Sequence, residues 1–506
     1  MNAHVPVILA TPARAPRRSY ARQFVLNTLY GTAGRFLQLG ISLFLVGYVV
    51  RKLGREQWGL VVLATTVVNF LSLIELGTSA GLAKKLNTFM TRGDTRRFRQ
   101  YFTAGIVLCT ILSAAMVLLL VVVLTIVWPF MNVAADLSRE GRFVLVAVAA
   151  STVCTLLSLP YGACLQAVHR IDIDVRRKTS AAVLRCVLAV ALFELTEPRA
   201  SIYGLVLAVT SGVMVLQQCL WVRRHVPDAR AAWGSLNRAL FRDVLAFNVL
   251  TLFNSLNYMI FMQAPAFVLQ AKASLQITGL YGIALQLNNV VLGVLIAPTN
   301  ALSPVTVSLE SAGRLSDLRR VFCVSTKAYT AVGIMMWVWF FMVGDEFLRL
   351  WLARDVSELA RALPWFIGAS AVGTMTLPAS VVIVAVERLR VPAVSGIVLA
   401  CVMIATMVMI SGSAEAHILT TASMLLACFF NAYQLLRFWI VARVLNVTAW
   451  ESVTSFVARP ALPALIAGLV LWVGVRYGYT HTVATSCHRG PRARAAAAPA
   501  PTDARA

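Results

Sequence analysis

The sequence predicts an all-α polytopic membrane protein with two six-helix lobes related by internal duplication, plus an extra C-terminal hydrophobic segment. Of its 506 residues, 59% are hydrophobic and only 13% are charged, and the mean hydropathy is +0.76. These values exceed the apolar content of ordinary soluble domains. Long apolar runs recur throughout, and because an unpaired backbone is costly in lipid, each run of about twenty residues predicts a transmembrane helix.

Thirteen such runs follow one another along the chain. They cover residues 24–50, 58–80, 102–129, 143–165, 180–196, 200–222, 244–270, 277–303, 321–343, 362–385, 392–412, 416–440 and 460–478. The predicted parts of the chain are a cytoplasmic tail at 1–22, the N-lobe with helices 1–6 at 23–222, a cytoplasmic interlobe linker at 223–243, the C-lobe with helices 7–12 at 244–440, an amphipathic stretch and a candidate helix 13 at 441–480, and a disordered tail at 481–506.

The duplication is visible as one pattern that occurs twice, at 23–101 and 246–324: an apolar helix, a short link, a second apolar helix and a basic loop. A constant offset of 223 in the numbering pairs Trp58 with Tyr281, Gly59 with Gly282, Asp94 with Asp317, Arg96 with Arg319 and Arg97 with Arg320. In a membrane chain, such a repeat predicts two like bundles around a central site.

A second echo has an offset of 218. It pairs Leu159-Pro160 with Leu377-Pro378, and Ala167-Val168 with Ala385-Val386. The change of offset predicts that the second half has lost about five residues between the two echoes, which is the difference between 223 and 218. The two prolines predict kinks in equivalent helices, because proline removes a backbone donor and clashes with the preceding turn.

The formal net charge of +24 raises the question of a nucleic-acid partner. The basic residues are concentrated in alternate loops, as at Lys84-Lys85, Arg96-Arg97 and Arg176-Arg177. This is the positive-inside pattern of membrane proteins, and it predicts a cytoplasmic N-terminus and contacts with membrane lipids rather than with nucleic acid. The cysteines have no CxxC spacing, and no motif predicts a metal site, a cofactor or a catalytic residue.

Polar residues recur on one face of the first helix. That face contains Asn27, Gly31, Gly34, Arg35, Gln38 and Ser42. Because an arginine at mid-helix costs roughly 2.5–3.5 kcal/mol in lipid, the face is expected to point toward protein or water. Arg35 is the one convincing mid-helix cation, since Arg185 and Lys327 lie near helix ends and are expected to snorkel. The alternative for Arg35 is snorkelling or an ion pair with Glu75, the main intramembrane acid.

Amide and hydroxyl groups occupy the first two helices of both halves. They include Asn69 in helix 2, Asn254 and Tyr258 in helix 7, and Gln286 and Asn289 in helix 8. Such residues serve either interhelical hydrogen bonds or ligand contacts, and the residues alone leave both open. At the offset of 223, Asn254 falls on Gly31 and Tyr258 on Arg35.

The first hundred residues resemble the N-terminal pattern of Wzx-type polysaccharide flippases. The residues that carry the likeness are Asn27, Leu53-Gly54, Trp58-Gly59 and the run LIELGTSAGLAKKLN at 73–87. These flippases belong to the multidrug/oligosaccharidyl-lipid/polysaccharide exporter superfamily. The resemblance implies alternating access that moves an undecaprenyl-pyrophosphate-linked oligosaccharide across the bacterial inner membrane for O-antigen, capsule or exopolysaccharide synthesis. It also implies a polysaccharide polymerase and a chain-length regulator as partners, and neither cofactor nor bond chemistry.

The resemblance also assigns roles to the polar residues. It implies that Arg35 binds the pyrophosphate through charge-assisted hydrogen bonds and that Glu75 is a candidate for ion coupling. The implied contacts to the sugar are Asn27, Gln38, Asn69, Asn254, Gln286 and Asn289, with Tyr258 completing the substrate-binding set.

Three rival functions remain. A multidrug extruder of the same superfamily typically has a carboxylate in its first helix, but residues 23–50 contain no acid. A membrane polymerase or glycosyltransferase needs acids in an outer loop, and the largest predicted one, 344–361, offers Asp345, Glu346, Asp355 and Glu358. A scaffold protein would leave Arg35 without a purpose.

Overall fold

The fold is known from a computed structural model that describes residues 17–72, 78–131, 133–168, 170–226, 229, 249–353, 356–386, 388, 390–410, 417–448, 461–463, 465–470 and 472–474. The helices are α1 (Arg17–Leu71), α2 (Thr78–Thr91), α3 (Thr95–Val122), α4 (Ala135–Ala167), α5 (Ile171–Leu195), α6 (Ala200–His225), α7 (Val249–Lys272), α8 (Leu275–Ser311), α9 (Leu315–Leu352), α10 (Ser357–Met375), α11 (Leu377–Ala385), α12 (Arg390–Ile410) and α13 (Ile418–Val444). The prediction of an all-α polytopic membrane protein is confirmed.

Within the described residues, eight helices are long and apolar enough to cross a membrane, and a ninth is added if α10 and α11, bent by 41°, form one span. Part of the difference from the thirteen predicted runs lies in α1, which contains the first predicted run and the second as far as Leu71, as two arms that meet at Gly54. The φ of 84° at Gly54 breaks the helix. Glycine tolerates this left-handed conformation because it has no Cβ.

The duplication is present in the backbone, but its offset near the first repeat is 220 rather than 223. Gly93 and Gly313 have φ values of 71° and 70°. In both turns the amide of the next residue bonds to a carbonyl five residues earlier, at 3.0 and 2.9 Å. This is the bonding of a helix that ends in a left-handed glycine. The predicted pairing of Asp94 with Asp317 is therefore wrong by three residues.

Contacts between the halves give the same offset. Gly59 lies against the carbonyl oxygen of Leu275, and Gly279 lies against the carbonyl oxygen of Arg55, so that a Cβ on either glycine would collide with backbone. An offset of 220 relates residue 59 to residue 279 and residue 55 to residue 275, so the repeat converts each of these two contacts into the other. Residues 62 and 282 are also related by 220, and they contact each other, as residues at a two-fold axis must. The two halves are thus related by an approximate two-fold axis between the second arm of α1 and α8.

The physical reason for the wrong offset is that the sequence match aligned Trp58-Gly59 with Tyr281-Gly282 by residue type. The fold instead requires a glycine where two backbones meet, and Gly279 fills that position.

The second echo, at an offset of 218, is confirmed. After α4, the amide of Val168 bonds to the carbonyl of Cys164 at 3.0 Å, and after α11 the amide of Val386 bonds to that of Val382 at 2.9 Å. The change of offset between the echoes is therefore only two, from 220 to 218, and not five. Pro378 lies just beyond the bend between α10 and α11, whereas Pro160 lies inside the continuous helix α4.

The apolar core divides the molecule into two ends. At the joined end, which contains Gly54 and Ser274, one cluster of buried side chains includes residues of both halves. At the split end, which contains Gly93 and Gly313, one cluster lies wholly within 82–229 and a second wholly within 318–447. The described parts of the halves thus share a packed core at one end only.

Arg51 reinforces the joined end, because its Nε donates to the carbonyl oxygen of Trp351 at 2.8 Å. The indole Nε1 of Trp351 donates in turn to the carbonyl oxygen of Leu43 at 3.0 Å. Both bonds link α1 to the end of α9. The prediction of an outer loop at 344–361 is wrong here, because α9 continues to Leu352 and α10 begins at Ser357.

Several predicted features lie outside the described residues. They are Glu75, the tail at 1–16, most of the linker at 223–243, the amphipathic stretch from 449 to 460 and the tail at 481–506. Of candidate helix 13, the described parts within 461–474 are helical.

Candidate functional site

Two large polar cavities lie within the described residues. One, called the N-lobe cavity below, is lined by the first half together with α8 of the second half, and the other, the C-lobe cavity, is lined by the second half alone. The N-lobe cavity has a volume of about 480 Å³ and lies among the first arm of α1, α5, α6 and α8. Its polar and charged lining includes Arg35, Gln38, Ser42, Lys178, Arg185, Gln286 and Asn289. Four of the predicted substrate-binding residues therefore share one cavity, namely Arg35, Gln38, Gln286 and Asn289.

Glycines and amides set the walls of this cavity. Gly34 lies against Val175 of α5 and Gly293 lies against Leu39, so both contacts need a residue without a Cβ. The Nε2 of Gln38 donates to Thr179 Oγ1 at 2.9 Å. These contacts fix α1 against α5 on one side and against α8 on the other.

The side chains of Gln286 and Ser42 join the two halves across the cavity wall, since Gln286 Nε2 donates to Ser42 Oγ at 2.8 Å. The amide side chains thus make hydrogen bonds between helices and also line the cavity, which are the two roles that the sequence left open.

Three basic side chains reach the N-lobe cavity, and their surroundings differ. Lys178 Nζ lies 2.8 Å from Asp174 Oδ2, and Arg185 Nε donates to Thr210 Oγ1 at 3.3 Å. Among the described residues, Arg35 has neither a hydrogen bond nor an ion pair. None of the described lining residues carries a carboxylate. Within the described part of the chain, the cavity is therefore electropositive, and Arg35 is its unpaired cation.

The C-lobe cavity has a volume of about 430 Å³ and lies among α7, α8, α10, α11 and α13. Its polar lining includes Tyr258, Gln263, Asn288, Ser370, Ser380, Gln434 and Arg437, with Phe430 and Tyr433 as aromatic walls. The amide of Asn288 is central to it: Nδ2 donates to Tyr258 Oη at 3.3 Å, and Oδ1 accepts from the hydroxyl of Ser370.

Arg437 is the charged group in the described lining of the C-lobe cavity, and its side chain is buried, with 7% of the residue exposed. Its Nη1 donates to Gln434 Oε1 at 3.0 Å, and its guanidinium lies 5.4 Å from the ring centroid of Tyr433. Among the described residues, its Nε and Nη2 are buried without a hydrogen-bond partner.

The expectation that Arg35 is the one mid-helix cation is therefore wrong. Arg437 is buried between helices, and Arg185 lines the N-lobe cavity instead of snorkelling to a surface. A signal for Arg437 is present in the sequence, since Tyr433, Gln434 and Arg437 place three polar groups within about one turn of an apolar helix.

The remaining predicted residues have different positions. Tyr258 lines the C-lobe cavity, and Asn69 lines neither cavity, its carbonyl accepting from Ser72 Oγ at 2.9 Å. The offset of 220 relates Asn69 to Asn289 and Gln38 to Tyr258, which corrects the earlier pairing of Tyr258 with Arg35. The side chains of Asn27 and Asn254, and the whole of Glu75, lie outside the described residues.

No family model matches the chain. It is 19% identical over 398 residues to the uncharacterized membrane protein EpsK of Bacillus subtilis (strain 168), covering 78% of each chain. Among solved structures, it is similar to a multidrug resistance MATE family transporter of the MOP superfamily in its inward-facing conformation, with a TM-score of 0.65, 13% identity, and coverage of 81% of this chain and 98% of that one.

It is also similar to the eukaryotic MATE transporter AtDTX14, with a TM-score of 0.58, 15% identity, and coverage of 89% of this chain and 99% of that one. The chain is therefore a multi-pass helical membrane protein with the fold of MATE transporters.

Proposed function

We propose that this protein is a flippase that moves an undecaprenyl-pyrophosphate-linked oligosaccharide from one leaflet of the bacterial inner membrane to the other, for surface polysaccharide synthesis. The observation that carries the proposal is the grouping of Arg35, Lys178 and Arg185 in a cavity whose described lining has no carboxylate. A pyrophosphate esterified at both ends is a compact dianion, and guanidinium and ammonium groups bind it through charge-assisted hydrogen bonds.

The amides around these cations suit the rest of the headgroup. Gln38, Gln286 and Asn289 line the same cavity and can exchange hydrogen bonds with sugar hydroxyls. The polyprenyl tail needs no polar site, because it can remain in lipid between the halves while the headgroup crosses. Asn27, Asn69 and Asn254 stay in the proposed sugar-binding set as further polar positions on α1 and α7.

The division of the core supports alternating access. Because the halves share one core at the joined end and have separate cores at the split end, the molecule can rock about the joined end. The basic loops lie at the split end, so the positive-inside pattern favours a cytoplasmic split end, a cytoplasmic N-terminus and an inward-open state. The proposed cycle closes the split end around the headgroup and opens the joined end.

Coupling and partners belong to the same proposal. Glu75 is the candidate for taking up a coupling proton or ion. A polysaccharide polymerase and a chain-length regulator are the proposed partners, since the translocated units must be polymerised on the outer face.

A multidrug extruder is the second candidate, because one of the similar solved structures is described as a multidrug resistance transporter. Cationic drugs need an acidic or aromatic site. The described lining of both cavities contains three arginines and a lysine but no carboxylate, which favours an anionic substrate.

The test is the leaflet location of lipid-linked oligosaccharide in cells that lack the protein. We expect the units to accumulate on the cytoplasmic leaflet and to be cleared when the wild-type protein is restored. Arg35→Gln is expected to lower clearance about tenfold or more, because it removes hydrogen bonds to a charged group.

The matched control is Arg176→Gln. Arg176 lies on α5 beside Lys178 but is exposed and outside the cavity, so its substitution is expected to leave clearance unchanged. Normal outer-leaflet delivery in the deletion strain would overturn the flippase proposal. Protection from cationic drugs without any effect on the lipid-linked units would favour the extruder.

A further inference from the structure

Arg437 lines the C-lobe cavity, and one edge of its guanidinium has no hydrogen-bond partner among the described residues. The guanidinium has three nitrogens, and Nη1 is bonded to Gln434. Its Nε and Nη2 are buried and have no hydrogen-bond partner among the described residues. The N–H bonds of Nε and Nη2 point in nearly the same direction and form the two-pronged edge that matches two oxygens on one carbon or phosphorus atom.

A buried guanidinium without a partner is unfavourable, because desolvation is not offset by a counter-charge. The Tyr433 ring at 5.4 Å and one bond to Gln434 compensate only part of it. The described lining of the cavity supplies no acid. A bound anion would complete the interactions of this side chain.

The rest of the lining identifies the kind of molecule that carries the anion. Phe430 and Tyr433 offer aromatic faces, while Ser380 and Gln263 offer hydroxyl and amide groups in the same cavity. Aromatic walls with a few polar groups fit a molecule that has both C–H faces and hydroxyls. A free phosphate or acetate would leave these walls unused.

We propose that the C-lobe cavity binds an acidic sugar, with the Nε and Nη2 of Arg437 holding its carboxylate in a bidentate pair. This inference rests on the proposed function and deepens it: the oligosaccharide that this chain moves contains a uronic-acid-type residue. The N-lobe cations then hold the pyrophosphate, and the glycan extends from the N-lobe cavity to Arg437. Gln434 is a positioning residue, because it bonds to Nη1 and directs the free edge.

The experiment measures saturable binding of D-glucuronate to the purified full-length protein in lipid nanodiscs, with D-glucose and acetate as comparison probes. We expect glucuronate to bind more tightly than either, because only glucuronate has both the carboxylate and the ring. Arg437→Gln is expected to weaken glucuronate binding about tenfold to a hundredfold.

Arg437→Lys separates charge from geometry. It keeps a cation but loses the two-pronged edge, so it is also expected to weaken glucuronate binding about tenfold, and it serves if Arg437→Gln fails to fold. Arg443→Gln is the matched control on the same helix: its guanidinium lies 4.0 Å from the ring centroid of Trp439, outside the cavity, and its loss is expected to leave binding unchanged.

Several results would overturn the inference: no saturable glucuronate binding by the wild-type protein, equal binding of acetate and glucuronate, or full binding by Arg437→Gln. Arg35→Gln keeps the two proposals apart, since it is expected to impair clearance of lipid-linked units while the loss of glucuronate binding caused by Arg437→Gln remains measurable in the Arg35→Gln background. Glucuronate binding without any translocation would mean that the proposed function fails and the site stands. Translocation of an acidic unit that is unaffected by Arg437→Gln would mean that the proposed function stands and the Arg437 site fails.

Discussion

The two halves of the molecule differ in how charge is balanced beside their cavities. In the first half, Asp174 is buried, accepts from Gln218 Nε2 at 3.0 Å and pairs with Lys178. In the second half, Arg437 takes the place of Gln218, at an offset of 219. The helix ends after them correspond with the same offset, because Val226 bonds back to Val222 as Leu445 does to Val441.

The difference shows that duplication preserved the turns and the joint while the chemistry of the two cavities diverged. Backbone geometry at the turns and at the two-fold axis leaves little freedom, because glycine alone fits there. A side chain that lines a cavity has no such constraint. At these corresponding positions, the first half therefore contains a buried acid paired with a lysine, and the second half a buried arginine without a counter-charge among the described residues.

The largest expected effect comes from the joined end, where the two halves make equivalent glycine contacts. Gly59→Ala places a Cβ against the carbonyl of Leu275, and Gly279→Ala places one against that of Arg55. Each is expected to lower the free energy of unfolding by about 3 kcal/mol, because neither backbone can move aside. Denaturation in detergent micelles measures this change in the free energy of unfolding.

Gly40→Ala is the control for the joint, since no atom lies within 4 Å of the position of its added Cβ. It is expected to be neutral or to stabilise by about 1 kcal/mol through helix propensity. Unequal effects of Gly59→Ala and Gly279→Ala would contradict the two-fold relation.

The next largest effect is expected from a substitution that removes the charge balance of the first half. Asp174→Ala removes the acceptor of Gln218 and the partner of Lys178. It is expected to lower the free energy of unfolding by about 2 kcal/mol, because Gln218 is buried and would lose a hydrogen bond to a charged group. Glu197→Ala, which breaks an exposed pair with Arg199, should leave the free energy of unfolding nearly unchanged in the same denaturation assay, because solvent screens the pair.

Arg437→Gln makes the second half resemble the first at this position. Without a ligand it is expected to raise the free energy of unfolding by about 1 kcal/mol, because an uncompensated buried charge is removed. Thermal denaturation of the ligand-free protein tests it. A marked loss of stability would mean that Gln434 and Tyr433 already balance the guanidinium.

The smallest expected difference concerns the two equivalent turns at the split end. Asp94 caps α3 by accepting from the Arg97 amide at 3.0 Å, whereas the side chain of Arg314 makes no such cap on α9. Asp94→Ala is expected to lower stability by about 1 kcal/mol. Arg314→Ala removes only an exposed pair with Asp317 and should lower it by a few tenths, about 0.3 kcal/mol. Equal losses in a chemical denaturation series would contradict the comparison.

The sequence predicted much of the site where helical periodicity applies. Arg35, Gln38 and Ser42 recur on one face of the first helix, and all three line the N-lobe cavity. Arg437 was missed although Tyr433 and Gln434 lie one turn before it, because an arginine in the last turns of an apolar helix is expected to snorkel until neighbouring helices are known to enclose it. Asn288 was also missed, because its role depends on Ser370, a hydrogen-bond partner that is distant in sequence.

The sequence by itself determined the class of protein, the order of the helices and the existence of the repeat, because hydropathy and helical period are local properties. Tertiary structure alone decided the register of the repeat, the depth of each charged side chain and the end at which the halves are joined. Those features depend on which backbones approach each other across the molecule. Gly279 and Arg437 illustrate it: each has its role only because a distant segment lies against it.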